Sequence, residues 1–463
     1  MQWEKLLSQK RFDVSGDGHK KKLDEGRSPW LIDLDRITFS SVFRRLQGKT
    51  QVHPLDKNAQ VRTRLTHSLE VASVGRSLGY RIGQTIIPKY HLDKQNISEH
   101  DFGYILQAAC LAHDIGNPPF GHAGEEAIGY YFHSHAKELF DNNVSKEIRD
   151  NLKNFEGNAQ GFRILNNSTS WREQGGLRLT YSTLGTFCKY PRAAILDKKY
   201  KLGTWIGDSK CGIYESEMPI WEEVTQNLGL IKRQDNLNLW ARHPFAFLLE
   251  AADDICYSIM DIEDGVNAGS ISFMEGEKLL MPLVRPASER EKGNAYFKEL
   301  KGQSWYKRMN ITEKIDFLRG KAVGNLINEV VNIFNQYEED ILNGSFNHEL
   351  LSETIYGKDI QIAKKYAHQH IFSSPFKLEV EIAASDVLDG LLDAFCQGFI
   401  DISKHGRGKK SSYKSSHLLK ILEHPLNGTE TKEAAFLQIC DFIAGMTDQH
   451  AVNLYRKIKG ISI

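Results

Sequence analysis

The chain has 463 residues, enough for one large core or for two to three domains of ordinary size. Its 41% hydrophobic and 25% charged content is that of a globular protein, and no apolar run approaches the roughly 20 residues that span a bilayer. Lys plus Arg equals Asp plus Glu at 59 each, which argues against a dedicated nucleic-acid coat and leaves only local basic patches. The opening MQWEKLLSQKRF is charged and lacks an apolar stretch with a cleavage site, so a cytoplasmic protein without membrane contact is expected. Cys110, Cys188, Cys211, Cys256, Cys396 and Cys440 are scattered with no Cys-x-x-Cys pair. They read as reduced, mostly buried thiols.

In chain order, apolar spacing near 3.6 predicts helices over 34–47, 67–87 and 102–116. Gly116-Asn117-Pro118-Pro119 stops the third, and a helix restarting near His122 would place His122 and Glu125 on one face. Strand-like alternation is scarce. Residues 178–187 and the region after Tyr200 are the best candidates for a small hairpin. Residues 188–236 mix Lys, Gly, Pro and aromatics without period and read as loop. Helical spacing returns over 243–266, 321–342 and 433–458, with a basic Ser/Gly-rich loop at 404–417. No repeat of fixed period occurs. The fold class expected is all-α with at most a small β-hairpin.

Three of these helices carry ionisable groups on apolar faces. Stepping back from the stripe Val71, Val74, Leu78, Ile82 lands on His67, which points inward. The stripe Leu106, Ala109 leads to His113, with Asp114 beside it at the helix end. Asp253, Tyr257 and Asp261 fall at i, i+4 and i+8 of an apolar run, where an aspartate is costly unless paired or bound to metal. A lone buried histidine is ordinarily a core residue with one hydrogen bond. Two imidazoles and two carboxylates together suit Mn²⁺, Mg²⁺, Fe²⁺ or Zn²⁺ with positions left open for water and substrate. His122 beside Glu125 is a standard proton-transfer arrangement. No Gly-x-x-x-x-Gly-Lys-Ser/Thr loop, no Gly-x-Gly-x-x-Gly and no nucleophile-elbow motif is present, so a P-loop site is not expected.

His67…His113-Asp114…Asp253 resembles the H…HD…D signature of HD-domain metallohydrolases. The longer AHDIGNPPFGHAGE (112–125), with FRRLQGKTQV, RTRLTHSLEVA, FEGNAQGFRIL, LTYSTLGTFCKYP, EAADDICYSIMDIEDG and CDFIAGMTDQHAVNLY in the same order, resembles the deoxyguanosine triphosphate triphosphohydrolase family over nearly the whole chain. The resemblance implies an HD-type helical core at about 60–265 within a catalytic domain of 1–400, continued by helices over 401–463. It implies His67, His113, Asp114 and Asp253 as metal ligands and His122 with Glu125 as the catalytic pair. Arg64, Lys189 and Tyr190 match phosphate contacts and Gln51 a sugar contact; Tyr257 and Asp261, on the helical face of Asp253, are expected with Gln51 at the sugar end. The expected activity is metal-dependent hydrolysis of a deoxynucleoside triphosphate to deoxynucleoside and inorganic triphosphate. A phosphodiesterase or 5′-nucleotidase on the same metal core is the alternative, and a protein sensing nucleotides or single-stranded DNA is a third reading. Family members form homo-oligomers, so a hexamer or tetramer is expected.

Overall fold

The computed structural model describes residues 1–12, 26–51, 62–141, 144–167, 176–194, 200–371, 375–406 and 412–461. Among them there are helices and isolated bridges but no β-strand, as an all-α fold requires. The expected hairpin does not form. Residues 181–187 are the helix Tyr181–Phe187, because Thr180 caps it: its hydroxyl accepts from the Thr183 amide at 3.3 Å and donates to Asp33. After Tyr200 the chain makes only short 3₁₀ turns and single bridges such as Ala193 with Ile213. The 188–236 segment, expected as loop, contains the helix Met218–Leu228, with Pro219 in its first turn and Gly229 as its left-handed end. The basic loop is shorter than expected: helices reach His405 and resume at Tyr413, and residues 407–411 lie outside the described ones.

Two antiparallel helices set the frame. Arg64–Tyr90 begins in a capping box, with Thr63 and Thr66 each bonding the other's backbone amide. Glu99–Ala112 packs along it. Gly75, Gly79 and Gly83 recur every four residues on the shared face. A Cβ at Gly79 would lie 2.5 Å from the Phe102 carbonyl oxygen, and one at Gly75 2.5 Å from Cys110 Sγ. The close approach of these helices depends on that missing methyl, and it brings His67 and His113 to one end of the pair.

The long helix Pro244–Asn267 crosses behind them. Its N-cap is His243, whose Nδ1 accepts from the Phe245 amide at 3.1 Å while Nε2 donates to the Leu6 carbonyl at 3.1 Å. The N-terminal turn is thereby tied to the core, and Trp3 sinks among Phe102, Phe245 and Phe334 with its indole donating to Glu338 at 3.0 Å. This first core takes residues from Trp3 to Ile371. A second core joins the helix His122–Ser134 and residues 139–155 to the helices Pro375–His405, Lys432–Ala444 and Asp448–Lys459. The 433–458 run is broken by Gly445-Met446-Thr447, with Thr447 capping the second piece. The candidate site lies where the two cores meet.

Candidate metal centre and catalytic cleft

His67 stands one turn into its helix and is buried. Its Nε2 lies 3.1 Å from Asp253 Oδ1. His113, the residue that ends its helix, donates Nδ1–H to the Cys110 carbonyl at 2.6 Å. That bond leaves Nε2 as the lone-pair nitrogen, and it faces the same Asp253 oxygen at 3.5 Å. The imidazole rings are 5.3 Å apart, and one ligand atom from each of His67, His113 and Asp253 lies within 4.8 Å of the other two. Two neutral-capable imidazoles and a carboxylate at this spacing fit a divalent ion. Asp114, the fourth expected ligand, sits 3.6 Å from His113 Nε2 at the edge of this group. Its carboxylate accepts from Arg64 at 2.8 Å and from Asn117 at 2.5 Å.

Electrostatics favour carboxylates here. Burial would raise the pKa of Asp253, yet the Lys189 ammonium, 2.8 Å from Oδ2, and the two imidazoles hold it well below the usual carboxylate range. Burial would likewise raise Asp114, and Arg64 reverses that. Burial pulls both histidines down; for His67 the hydrogen bond to Asp253 outweighs it, whereas His113 stays lowered.

The loop after Asp114 turns back through two residues of positive φ, Phe120 at 65° and Gly121 at 61°. A Cβ on Gly121 would lie 2.6 Å from an Arg64 guanidinium nitrogen. The chain then enters the helix His122–Ser134, so the restart and the shared face of 122 and 125 form as expected. His122 Nδ1 donates to Glu125 Oε2 at 2.6 Å, and Glu125 Oε1 accepts the Gly157 amide at 2.8 Å. The carboxylate is buried while the imidazole is 75% exposed, its Nδ1 fixed and its other side open to the cavity.

A cavity of about 610 Å³ joins these groups. Its walls include His67, His113, Asp114, Asp253, His122, Glu125, Arg64, Gln51, Lys189, Tyr190 and Tyr257. Gln51 Oε1 is buried without a hydrogen-bond partner among the described residues. Burial pushes the Tyr257 hydroxyl up to about 12. Asp261 is not among the walls. It is buried on the same helix, its pKa pushed up to about 8 by that burial, and one of its oxygens lacks a partner among the described residues. Eight residues of an α-helix overshoot two turns by roughly 80°, so the i+8 position has rotated off the face that i and i+4 share. Sequence reasoning missed Asn117, Asn158, Lys210, His368 and the Leu378–Glu381 wall. Asn117 and Asn158 lie inside the quoted motifs and could have been found. Lys210 and His368 sit in stretches without any pattern.

Residues 64–179 match the HD domain family, and residues 350–457 match the phosphohydrolase-associated domain. Fold and cleft together define an HD-domain phosphohydrolase. Over its full length the chain is 40% identical to a deoxyguanosinetriphosphate triphosphohydrolase-like protein of Synechocystis sp., also covered in full. It is 39% identical to such a protein of Pseudomonas aeruginosa, across 100% of this chain and 99% of the relative. It is 31% identical to the deoxyguanosinetriphosphate triphosphohydrolase of Yersinia enterocolitica, across 92% of each. The chain belongs to the deoxyguanosinetriphosphate triphosphohydrolase-like family. Among the described residues no helix is long and apolar enough to cross a membrane.

Proposed function

We propose that this protein hydrolyses deoxynucleoside triphosphates to deoxynucleoside and inorganic triphosphate in a metal-dependent reaction. The observation that carries the reading is the pairing of a His67–His113–Asp253 cradle with the His122–Glu125 dyad in one cavity. A divalent ion held by those three side chains, with Asp114 beside them, would polarise the α-phosphate and acidify water. Mn²⁺, Mg²⁺, Fe²⁺ and Zn²⁺ all accept such donors.

The chain's own groups supply the rest. Arg64, Lys189 and Lys210 line the cavity and offer cations to the phosphates, with Tyr190 beside Lys189. Water attacks the α-phosphorus, and the bond to the 5′-oxygen of the sugar breaks. His122 gives the leaving oxygen its proton through Nε2, because Nδ1 is engaged by Glu125. Glu125 stabilises the charged imidazole and is itself held by the Gly157 amide. At the sugar end, Gln51 Oε1 has an acceptor to spare for a hydroxyl, and Tyr257 crowds the space a 2′-hydroxyl would need.

The test is a product assay on pure protein with each of the four dNTPs and Mn²⁺. Inorganic triphosphate is the expected product. Pyrophosphate, single phosphate, or turnover of monophosphates and diesters instead would favour the phosphodiesterase or nucleotidase reading. His122→Ala should bind metal as the wild type does and lose about 10²–10⁴-fold in kcat. Near-normal turnover would remove His122 from its role.

A further inference from the structure

Two backbone stretches must stay fixed against the cradle for the proposed reaction: Lys49–Gln51, which presents Gln51, and Gly116–Gly121, which presents His122. We propose that Asp448, from the C-terminal region, is the positioning residue that clasps both. The inference deepens the triphosphohydrolase reading and rests on it for its kinetic half.

Asp448 is 2% exposed and opens the helix Asp448–Lys459. Its hydrogen bonds run outward from that helix, to Thr50 on the far side of the seam and to Phe120 within the second core. Oδ2 accepts from the Thr50 amide at 3.1 Å and the Thr50 hydroxyl at 2.7 Å. Oδ1 accepts from the Phe120 amide at 3.0 Å. Each bonded residue adjoins a working one, Thr50 next to Gln51 and Phe120 two before His122. Phe120 is the non-glycine half of the positive-φ turn, a conformation that persists only where its surroundings hold it. The carboxylate oxygen on its amide contributes to that holding, beside the burial of its ring and the Gly121 amide on the Pro118 carbonyl.

Neighbouring contacts lock the same seam. Lys49 Nζ donates to the carbonyls of Asn117 and Ala444, one from each side. A Cβ at Gly48 would lie 2.5 Å from Thr447 Cγ2, so the Lys49–Gln51 segment has no room to slide past the C-terminal helices. On its other side that segment pairs with the start of the His67 helix, through the Thr50–Thr63 bridge and the Arg64 amide on the Lys49 carbonyl at 2.9 Å. Asp448 does not line the cavity and acts only through the residues it holds.

The experiment compares wild type, Asp448→Asn, His122→Ala and the double variant as full-length, Mn²⁺-loaded enzyme, with hydrogen–deuterium exchange on each. An amide keeps only one acceptor oxygen, so one side of the clasp must open. Asp448→Asn should lower kcat about 10–100-fold, the scale of a misplaced catalytic group, where the Phe120 side opens, and raise KM with kcat nearly kept where only the Thr50 side opens. Exchange should quicken over Phe120–Ala123, over Thr50–Gln51, or over both, while Leu106–Leu111 stays protected. In the His122→Ala background the same change should cost no further kcat, because its effect passes through His122. A loss that multiplies in that background, or exchange that rises uniformly, overturns the proposal and leaves Asp448 a folding residue.

Should Asp448→Asn not fold, Thr50→Val loosens the Lys49–Gln51 side alone, removing the hydroxyl bond to Asp448 and leaving the Thr50 amide in place. It should quicken exchange at 50–51 and raise KM with kcat nearly kept; unchanged exchange and KM overturn the clasp. Gln449→Ala, exposed one residue along, is the control and should alter neither reading. A wild type that hydrolyses no dNTP would sink the triphosphohydrolase reading, and the exchange pattern would still decide the clasp.

Discussion

The Cys110 carbonyl accepts a hydrogen bond from His113 Nδ1–H, and that bond decides which ring nitrogen faces the cavity. Removing the ring should therefore remove a metal ligand without creating a competing donor. We expect His113→Ala to lose at least about 10-fold in Mn²⁺ affinity by titration calorimetry, with the helix still folded by circular dichroism. Wild-type affinity would take His113 out of the cradle. At this scale the sequence was informative wherever an ionisable residue interrupted an apolar stripe. His67, His113 and Asp253 each did so, and the structure gathers them. Asp261, expected at the sugar end from a spacing of eight, does not line the cavity, because each further turn rotates it, although it stays close enough to His67 to interact with it. Lys210 and His368 reach the cavity through tertiary packing, which no local pattern records.

The helix Pro244–Asn267 owes its start to an imidazole used as a cap. His243 is neutral in this role, accepting at Nδ1 and donating at Nε2. Burial lowers its pKa to about 4, against which the Leu6 carbonyl pulls only weakly upward. The unfolded chain titrates near 6.5, so between those values it binds more protons than the folded one. Stability should then fall as pH drops from about 6.5 to about 4, by up to roughly 3 kcal/mol. Urea unfolding at several pH values would measure this, and His243→Asn, which can still cap, should flatten that part of the curve. A slope equal to the wild type's would assign the acid sensitivity elsewhere. Helix positions were legible because their stripes are long, as in Arg64–Tyr90. Breaks were less so. The 34–47 and 433–458 runs each divide where a serine or threonine caps a new helix, at Ser40 and Thr447, and the apolar spacing carries on across the interruption. The Tyr181–Phe187 helix was hidden by β-branched residues whose hydroxyls serve capping rather than pleating.

Over the whole molecule, two cores share one cleft, and neither is contiguous in sequence. The stretch 120–155 is threaded between parts of the first core yet packs with residues 380–454. All seven tryptophans, at positions 3, 30, 171, 205, 221, 240 and 305, precede the C-terminal helices, and those assigned to a core belong to the first. Trp3, Trp30, Trp221 and Trp240 therefore weight indole fluorescence toward the first core, while far-ultraviolet dichroism reports both. With the cores stitched by the Asp448–Thr50 and Lys49–Ala444 bonds, the two probes should give coincident unfolding curves, and separated midpoints would show the halves to be independent. Mn²⁺ at about 100 times its Kd should stabilise both curves by roughly 2.7 kcal/mol, reversibly with chelator. No shift would mean that the folded chain binds the ion no better than the unfolded one.

Behind the cradle three glycines interlock: a Cβ on Gly116 would fall 2.0 Å from the Gly157 oxygen and 2.1 Å from the Gly161 nitrogen. One on Gly157 would fall 2.4 Å from both Asn117 Oδ1 and Glu125 Oε1. In a saturation library Gly157, which meets only the ends of the Asn117 and Glu125 side chains, should accept alanine under selection for abundance, while Gly116, set against backbone, and Gly161, set against the Phe187 ring, should return nothing but glycine. A descendant that had abandoned catalysis would keep these two as long as it kept its shape. An intact glycine pattern thus testifies to architecture, and only the imidazoles and carboxylates around it testify to chemistry.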